Sequence, residues 1–343
     1  ENGVITLTDD VVLAAGKEIN KAGTTQVTKI DLGGHKLSRA GGFVLDIYGD
    51  VTITNGTIEM TGAASGSAIW INNSVKVSAT GSVNNKTSFA IAFDSNCDGA
   101  ALTFNGAIAG ENGVTINGNI TKNTNKISVN GTIDVTELAL YLAGNGTTDI
   151  NNGASLKGDV GVEIRAGVLN INGGTITSTG ANYNVTSNPG GATTTGAALA
   201  VAEHTTNQGV TVNINGGTIT NVAGGKAISV ANPEEKEEAK GANVSVNGGT
   251  ISGDVKVGEN VKSTVEGKEP LTVSGDYNMT KDSEGNYTIA KKPTSYYYYS
   301  PSTTTPDTTK GSPKTFDAGV GIYAVTAVLS VTGMAWTAKK RGN

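Results

Sequence analysis

Eight quartets of residues along the chain carry the side chains best suited to bind a ligand. In each quartet the first and third residues are apolar, while the second and fourth vary in chemistry. This alternation is typical of a β-strand with one buried face, so we expect the second and fourth side chains to point into solvent. The quartets begin at Leu45, Ile69, Ile91, Val114, Leu140, Val162, Leu199 and Ile228.

The outward residues of these quartets predict a binding strip. If successive quartets lie side by side in a parallel sheet, about 4.8 Å apart, their outward side chains form two columns on one face. Aromatic rings in such columns can stack on sugar rings, and acid or amide groups can bond to hydroxyls. The alternative is that the aromatic side chains only stabilise the sheet through contacts with their neighbours. The candidate glycan-binding strip comprises Asp46, Tyr48, Trp70, Asn72, Asp94, Tyr141, Glu163 and Arg165.

The acidic residues of the strip do not predict a catalytic pair. Asp46 and Asp94 are two strands apart, hence about 10 Å, and Asp94 and Glu163 are three strands apart, hence about 14 Å. The two carboxylates of a retaining glycosidase lie about 5 Å apart, and those of an inverting one up to about 9.5 Å. We therefore predict no catalytic residue, and we expect Glu163 and Arg165 to form an ordinary exposed ion pair.

Composition argues against several other classes of function. The formal net charge is −5, which does not favour nucleic acid as a partner. The single cysteine, Cys97, cannot form an internal disulfide. We expect both histidines, His35 and His204, to face solvent, and we predict no metal site and no cofactor.

A short phrase, Asn-Gly followed by Thr-Ile or a close variant, recurs along the chain. Spacings of 20 to 25 residues between β-rich copies predict a solenoid, with two strands in each repeat. The glycine supplies backbone angles closed to other residues, and stacked asparagines can bond from coil to coil. Insertions at 182–196, 203–209 and 232–241 explain the two wider spacings, and we expect the acidic run 234–238 to be a solvated loop tip. The first glycine of each copy is at 33, 56, 81, 106, 131, 153, 173, 216 and 248.

This pattern resembles the right-handed parallel β-helix of the pectate-lyase-like superfamily. It is more similar still to the surface β-helix proteins of Gram-positive bacteria. The phrases at 30–37 and Val-x-Ile-Asn-Gly-Gly-Thr-Ile carry the likeness, which covers about residues 4 to 290. The resemblance implies an all-β fold, a right-handed parallel β-helix over residues 1–290. Relatives that cleave polysaccharides use calcium-binding aspartates with a base, or paired acids, so a lyase or hydrolase is the alternative function.

The composition changes abruptly after residue 290. Residues 291–311 are rich in Ser, Thr and Pro and predict a disordered stalk, a linker that would span the wall. Val320 to Ala338 are 19 residues without a charge, long enough to cross a bilayer as one transmembrane helix. Three basic residues, 339–341, follow the span and are typical of a cytoplasmic stop.

Residues 312–343 resemble a Gram-positive cell-wall sorting signal of the Leu-Pro-x-Thr-Gly type. Pro313 and Thr315 match that motif, whereas Ser312 replaces Leu and Phe316 replaces Gly. The resemblance implies that a sortase cuts after Thr315 and joins the protein to peptidoglycan. Before that step the span would hold the chain in the membrane. The complete motif is Ser312, Pro313, Lys314, Thr315 and Phe316.

Together these features predict an extracellular protein anchored to the cell wall, with a processed or trimmed N-terminus. Its expected role is that of an adhesin or glycan-binding β-helix, with host or environmental glycans as partners besides peptidoglycan. Two alternatives stay open: a surface polysaccharide lyase or glycoside hydrolase, and a structural spacer that binds nothing.

Overall fold

Successive repeats of the chain stack on one another as parallel β-strands. The computed structural model describes residues 3–63, 66–206, 208–234 and 240–293. The predicted stalk from residue 294 onward, the sorting motif and the transmembrane span lie outside the described residues. The strands are β1 (Val4–Thr6), β2 (Val11–Val12), β3 (Lys17–Ile19), β4 (Lys29–Asp31), β5 (Lys36–Arg39), β6 (Leu45–Ile47), β7 (Val51–Thr54), β8 (Thr57–Met60), β9 (Ile69–Ile71), β10 (Lys76–Ala79), β11 (Ser82–Phe93), β12 (Ala101–Phe104), β13 (Ala107–Ile116), β14 (Lys126–Val129), β15 (Thr132–Val135), β16 (Leu138–Leu142), β17 (Thr147–Ile150), β18 (Ser155–Gly158), β19 (Val160–Ile164), β20 (Gly167–Ile171), β21 (Thr175–Ser178), β22 (Asn184–Val185), β23 (Thr194–Thr195), β24 (Ala197–Ala202), β25 (Val210–Ile214), β26 (Thr218–Asn221), β27 (Lys226–Ala231), β28 (Ala242–Val246), β29 (Thr250–Ser252), β30 (Val255–Val257), β31 (Leu271–Val273), β32 (Tyr277–Lys281) and β33 (Asn286–Lys291).

These strands form three parallel ladders. Ladder 1 contains eleven strands in chain order: β1, β4, β7, β10, β12, β14, β17, β20, β25, β28 and β31. Ladder 2 runs β2, β5, β8, β11, β13, β15, β18, β21, β26, β29. Ladder 3 runs β3, β6, β9, β11, β13, β16, β19, β24, β27, β30, so the long strands β11 and β13 belong to both. The predicted fold class is confirmed as an all-β parallel solenoid of about ten turns, without a helix in the described residues.

The prediction of two strands in each repeat was wrong, because every regular turn contains a third. The Thr-Ile of the recurring phrase begins this extra strand, as in β8 (Thr57–Met60) and β21 (Thr175–Ser178). The isoleucines point inward, and both Ile58 and Ile176 are fully buried. These strands begin inside the recurring phrase, directly after the glycine, so the phrase indicated a corner and not a strand.

The predicted interior column of ladder 3 is confirmed. The third residue of each quartet pairs in register with the third residue of the next, from Ile47 beside Ile71 to Val201 beside Val230. None is more than 2 % exposed. The column consists of Ile47, Ile71, Phe93, Ile116, Leu142, Ile164, Val201 and Val230.

Asparagine side chains at the corner after ladder 1 link one turn to the next, as predicted. Each amide nitrogen donates to the amide oxygen of the equivalent residue in the turn before. Six residues are joined in this way, which satisfies both ends of each interior amide. The bonds run from Asn130 to Asn105 at 2.9 Å, Asn151 to Asn130 at 3.0 Å, Asn172 to Asn151 at 3.3 Å, Asn215 to Asn172 at 3.1 Å, and Asn247 to Asn215 at 3.2 Å.

The first glycine at this corner has the predicted left-handed backbone only in Gly33 and Gly153, with φ of 60° and 90°, and in the other copies glycine is required for space. Gly106 and Gly131 do not have a positive φ, but a Cβ at Gly131 would overlap the carbonyl oxygen of Gly106. The left-handed conformation is adopted instead by the second glycine of the later copies, such as Gly217 with a φ of 80°. The corner therefore needs glycine because neighbouring turns approach closely there.

The parallel stack ends earlier than predicted. Its last ladder strand is β31, and β32 and β33 then form an antiparallel hairpin that also pairs with β30. Tyr277 and Ile289 of the hairpin are buried against the end of the core. Among the described residues there is no helix with the length and apolar character needed to cross a membrane.

Replacing Ile116 with Asp tests the interior column. Ile116 is 1 % exposed, so the new carboxylate would have no solvent and no partner. We expect the free energy of unfolding to fall by at least about 4 kcal/mol, measured by urea denaturation. Thr103→Asp introduces the same charge at an exposed position of β12 and should change it by less than about 1 kcal/mol. Equal effects of the two changes would contradict the assignment.

Candidate functional site

The second residues of the quartets form one continuous column on the outer face of ladder 3. In register, Asp46 lies beside Trp70 and Trp70 beside Ala92. Ala92 lies beside Thr115, which in turn lies beside Tyr141. Trp70 and Tyr141 are therefore three strands apart, about 14 Å, with only small side chains between them. Large residues at both ends of a small pair create a recess in the sheet surface.

This inner recess has a volume of about 360 Å³. Trp70 is half-buried at one end, and at the other Tyr141 stacks on Phe89 with ring centroids 6.0 Å apart and planes at 20°. The recess is therefore lined mainly by rings and amides. Its lining residues are Trp70, Phe89, Ala92, Phe93, Thr115, Ile116, Asn117, Gly118, Asn119, Tyr141, Ala143, Gly190 and His204.

A second, outer recess of about 380 Å³ lies on the opposite side of Trp70. Trp70 borders both recesses. We call the two recesses together the Trp70 groove. The groove crosses the strands because its columns run from turn to turn. The outer recess is lined by Gly42, Phe43, Asp46, Tyr48, Gly66, Trp70, Asn72 and Asp94.

Asp46 organises the outer recess through its hydrogen bonds. Tyr48 Oη donates to one carboxylate oxygen at 2.9 Å, and the Asn72 amide donates to the other. Burial raises the pKa of Asp46, and these two hydrogen bonds oppose the rise. Because Tyr48 donates to the Asp46 carboxylate, its own pKa rises to about 12. Both oxygens of Asp46 are thus occupied in holding its neighbours in place.

Asp94 is the more available carboxylate of this recess. Its Oδ1 accepts hydrogen bonds from Ser95 Oγ at 3.2 Å and from the Asn96 backbone N–H at 3.1 Å. Within the described residues, its Oδ2 accepts none. The side chain is partly exposed at the mouth of the recess, where a ligand can reach it.

The structure places six of the eight predicted strip residues along the Trp70 groove and excludes the other two, and of the six, Asn72 and Tyr141 are buried and not exposed as predicted. Glu163 and Arg165 are fully buried, so the predicted exposed ion pair was wrong. The inserted segment 182–196 folds back over their strand, β19, and covers their side of the column. The six residues that line the groove are Asp46, Tyr48, Trp70, Asn72, Asp94 and Tyr141.

Arg165 fastens the inserted loops to the solenoid. Its guanidinium donates to four backbone carbonyls and pairs with Glu234, the first residue of the acidic run. Glu234 is therefore a structural contact and not part of a solvated loop tip, while 235–238 lie outside the described residues. The partners of Arg165 are the carbonyls of Asn188 at 2.8 Å, Gly191 at 2.5 Å, Ala202 at 3.3 Å and Glu203 at 3.2 Å, and the Glu234 carboxylate at 3.6 Å.

Glu163 holds the same insertion at a second point. Its carboxylate accepts the backbone N–H of Thr193 at 2.8 Å, the Thr193 hydroxyl at 2.7 Å and the backbone N–H of Thr194 at 3.4 Å. Burial raises the pKa of Glu163, and these hydrogen bonds and the charge of Arg165 lower it. Both charged residues therefore secure a loop.

The covering loop also explains why the column becomes small and bland in the last two quartets. Ala200 and Ser229 are fully buried. Tyr183 of the insertion packs against the cluster that contains Ala200, and its hydroxyl lies 3.0 Å from Ser229 Oγ. Larger side chains at these positions would leave no space for the loop.

His204, expected in solvent, is buried at the end of the inner recess. It is only 6 % exposed, and its ring lies so close to Gly118 that a Cβ there would be 2.6 Å from Nε2. The Thr206 backbone N–H donates to Nδ1 at 3.2 Å. His204 and Gly190 both come from insertions, and together they close this end of the groove.

Sequence analysis also missed Phe89 and Asn119 as groove residues. Asn117, the fourth residue of its quartet, has the outward parity that the alternation predicts, although the candidate strip did not include it, and it lines the inner recess. Phe89 precedes its quartet at the point where β11 shifts register, so no pattern indicated it.

No group of three or more His, Cys, Asp or Glu side chains within the described ranges has an arrangement that could hold a metal ion. Protein-family models, curated proteins and solved structures give no match to this chain. Function therefore has to be inferred from the Trp70 groove itself.

Replacing Arg165 with Met tests its role as the anchor of the insertions. The change keeps most of the apolar stem but leaves buried carbonyls and Glu234 without their partner, so the loop should detach. We expect hydrogen exchange in segment 182–196 to accelerate by at least about tenfold, with β9 and β12 unchanged. Lys157→Met, which removes an exposed ion pair with Asp134, is the matched control and should leave the segment protected. Unchanged protection in Arg165→Met would show that the loop is held elsewhere.

Proposed function

We propose that this protein is a glycan-binding protein of the cell surface, an adhesin that holds a sugar chain in the Trp70 groove. The observation that supports this most directly is the position of Trp70 between the two recesses. A tryptophan ring left half-buried offers a flat apolar face, and such a face suits the apolar side of a sugar ring. Acid and amide groups of Asp94, Asn72 and Asn117 lie on either side, where ring hydroxyls need partners.

The dimensions of the groove fit a short oligosaccharide. Ligand pockets are commonly about 300 to 1,000 Å³, and each recess is near the lower end of that range. One recess therefore holds about one sugar unit, and the whole groove a short run of units stacked along Trp70. The repeat of the solenoid supports an extended ligand, because equivalent positions recur at each turn.

The arrangement of Asp46 favours binding over bond cleavage. A general acid or base must reach the substrate with a free oxygen. Tyr48 and Asn72 hold Asp46 in place with one hydrogen bond to each of its oxygens. Within the described residues only Asp94 has a carboxylate oxygen in this recess that accepts no hydrogen bond. Cleavage by a lyase or hydrolase stays the alternative, and a structural spacer that binds nothing is the second.

The proposed location rests on the resemblance to surface β-helix proteins of Gram-positive bacteria and to their sorting signals. In this proposal residues 291–311 are the stalk and 312–343 the signal, with the motif Ser312–Phe316 and the span Val320–Ala338. Sortase would link Thr315 to peptidoglycan and so expose the groove outside the cell.

Trp70 is the residue to test, and the chain contains only two tryptophans, at 70 and 336. In a Trp336→Phe background, Trp70 is the sole source of tryptophan emission and reports any ring that stacks on it. A panel of neutral, amino and acidic oligosaccharides should contain members that shift this emission. Replacing Trp70 with Ala should then weaken binding of those members at least about tenfold, measured by calorimetry.

Tyr287→Ala, which removes a partly exposed aromatic ring from the terminal hairpin, is the control and should leave affinity unchanged. Thermal melting of each variant would confirm that the solenoid is folded. Soluble fragments released from the panel would favour the enzyme, and the absence of any binding would favour the spacer. If the Trp70→Ala variant binds as tightly as the parent, the Trp70 ring is not part of the binding site.

Anchoring is tested separately, on intact cells of the producing organism. We expect muramidase, and not detergent, to release the protein, with Thr315 as its C-terminal residue by mass spectrometry. Extraction by detergent with Val320–Ala338 still attached would contradict sortase processing and indicate a permanent membrane anchor.

A further inference from the structure

The two recesses of the Trp70 groove differ in charge. The outer recess contains two carboxylates, Asp46 and Asp94, whereas no Asp, Glu, Lys or Arg among the described residues lines the inner recess. A third carboxylate, Glu18, is the in-register neighbour of Asp46 in the same column. The groove therefore has an acidic end and an uncharged end, with Trp70 at the boundary.

A neighbouring cation pairs with Glu18, but within the described residues none pairs with either carboxylate of the outer recess. Lys21 pairs with Glu18 at 2.6 Å and lies 5.7 Å from the centre of the Tyr48 ring. Arg39 donates to the Phe43 carbonyl at 2.9 Å and lies over the Phe43 ring. Neither cation lines the recess.

Asp46 and Asp94 accept hydrogen bonds only from neutral donors within the part of the chain that the structure describes. Besides burial, repulsion from Glu18 and Asp94 raises the pKa of Asp46. A positive group bound between the carboxylates would relieve this repulsion. A negative group would add to it.

The uncharged end is suited to a neutral polar ring. Tyr141 lines it with its ring and is only 7 % exposed, while its hydroxyl is buried beside the Arg165 guanidinium, which opposes the rise that burial causes in the pKa of Tyr141. Asn117 Oδ1 accepts the Asn119 backbone N–H at 3.0 Å, and within the described residues the Asn117 amide nitrogen stays available as a donor. A neutral ring can pack against the Tyr141 ring, and its hydroxyl or acetamido oxygen can accept from Asn117.

We propose that the ligand is a glycan with free amino groups, with an ammonium-bearing sugar in the outer recess and an uncharged sugar in the inner recess. This inference rests on the proposed glycan-binding function and adds the chemical class. A glucosamine oligomer in which some of the sugars are N-acetylated contains both kinds of sugar. Its ammonium groups would form charge-assisted hydrogen bonds with Asp94 Oδ2, whereas uronate or sulfated chains would be repelled.

The test compares three hexamers on the full chain: glucosamine with every second sugar N-acetylated (the glucosamine hexamer), N-acetylglucosamine and galacturonic acid. We expect the glucosamine hexamer to bind tightest, with affinity that falls as salt is added, and the galacturonic acid hexamer not to bind. Asp94→Asn keeps the shape of the side chain and should weaken binding of the glucosamine hexamer about tenfold. It should weaken binding of the N-acetylglucosamine hexamer several-fold less.

Asp134→Asn is the control for net charge, because it removes an exposed carboxylate on β15 that pairs with Lys157 and lies outside the groove. An Asp134→Asn variant that loses as much affinity as Asp94→Asn would overturn the proposal and indicate a general charge effect. If either of the other hexamers binds as tightly or more tightly, and this binding depends on Trp70, the proposed preference for amino sugars is wrong, but the proposed glycan binding stands. Trp70-dependent binding of a lysine hexapeptide as tight as that of the glucosamine hexamer would show that the sugar is not recognised. If no hexamer binds, this inference fails, and the wider oligosaccharide panel decides separately on glycan binding.

Discussion

The fixed separation of neighbouring turns is the constraint on which the whole structure depends. Backbone hydrogen bonds between parallel strands hold successive turns about 4.8 Å apart, so each turn must follow the path of the turn before it. The corner after ladder 1 shows how strict this is, because a Cβ at Gly131 would overlap the carbonyl oxygen of Gly106. Asparagines beside these glycines bond amide to amide, as from Asn130 to Asn105. The residue type at each corner is thus limited by the space and the hydrogen-bond partner that the preceding turn provides.

The same constraint produces most of the Trp70 groove. Strand residues alone form its floor and the wall at Trp70, and no loop is needed there. Residues in register form columns, so the sizes of successive side chains in a column determine where the surface is raised and where it is recessed. Two small residues, Ala92 and Thr115, between Trp70 and Tyr141 are enough to make a recess three strands long. One substitution in the column would fill the recess and leave the core beneath it unchanged.

Alternation in the sequence was sufficient to predict the core of ladder 3 and six groove residues, because burial in a strand depends only on parity. Alternation could not predict which outward side chains an inserted loop would cover. Glu163 and Arg165 have outward parity, but segment 182–196 folds over them and supplies the partners that their charges need. His204 belongs to an insertion, so no repeat indicated its position. Ladder 2 was missed because its strands begin inside the recurring Asn-Gly-Thr-Ile phrase, which indicated a corner and not a strand.

Burial of Arg165 also makes the two ends of the groove different. The guanidinium holds backbone carbonyls of the insertion, such as those of Asn188 and Gly191, and not its variable side chains. A loop held by its backbone keeps its path, so Gly190 and His204 form a fixed wall at the inner recess. At the other end the outer recess is bordered by glycines, which have no side chain to obstruct a ligand. In the proposed binding mode a chain that enters from the acidic end therefore meets the two carboxylates first, then Trp70, and the loop last.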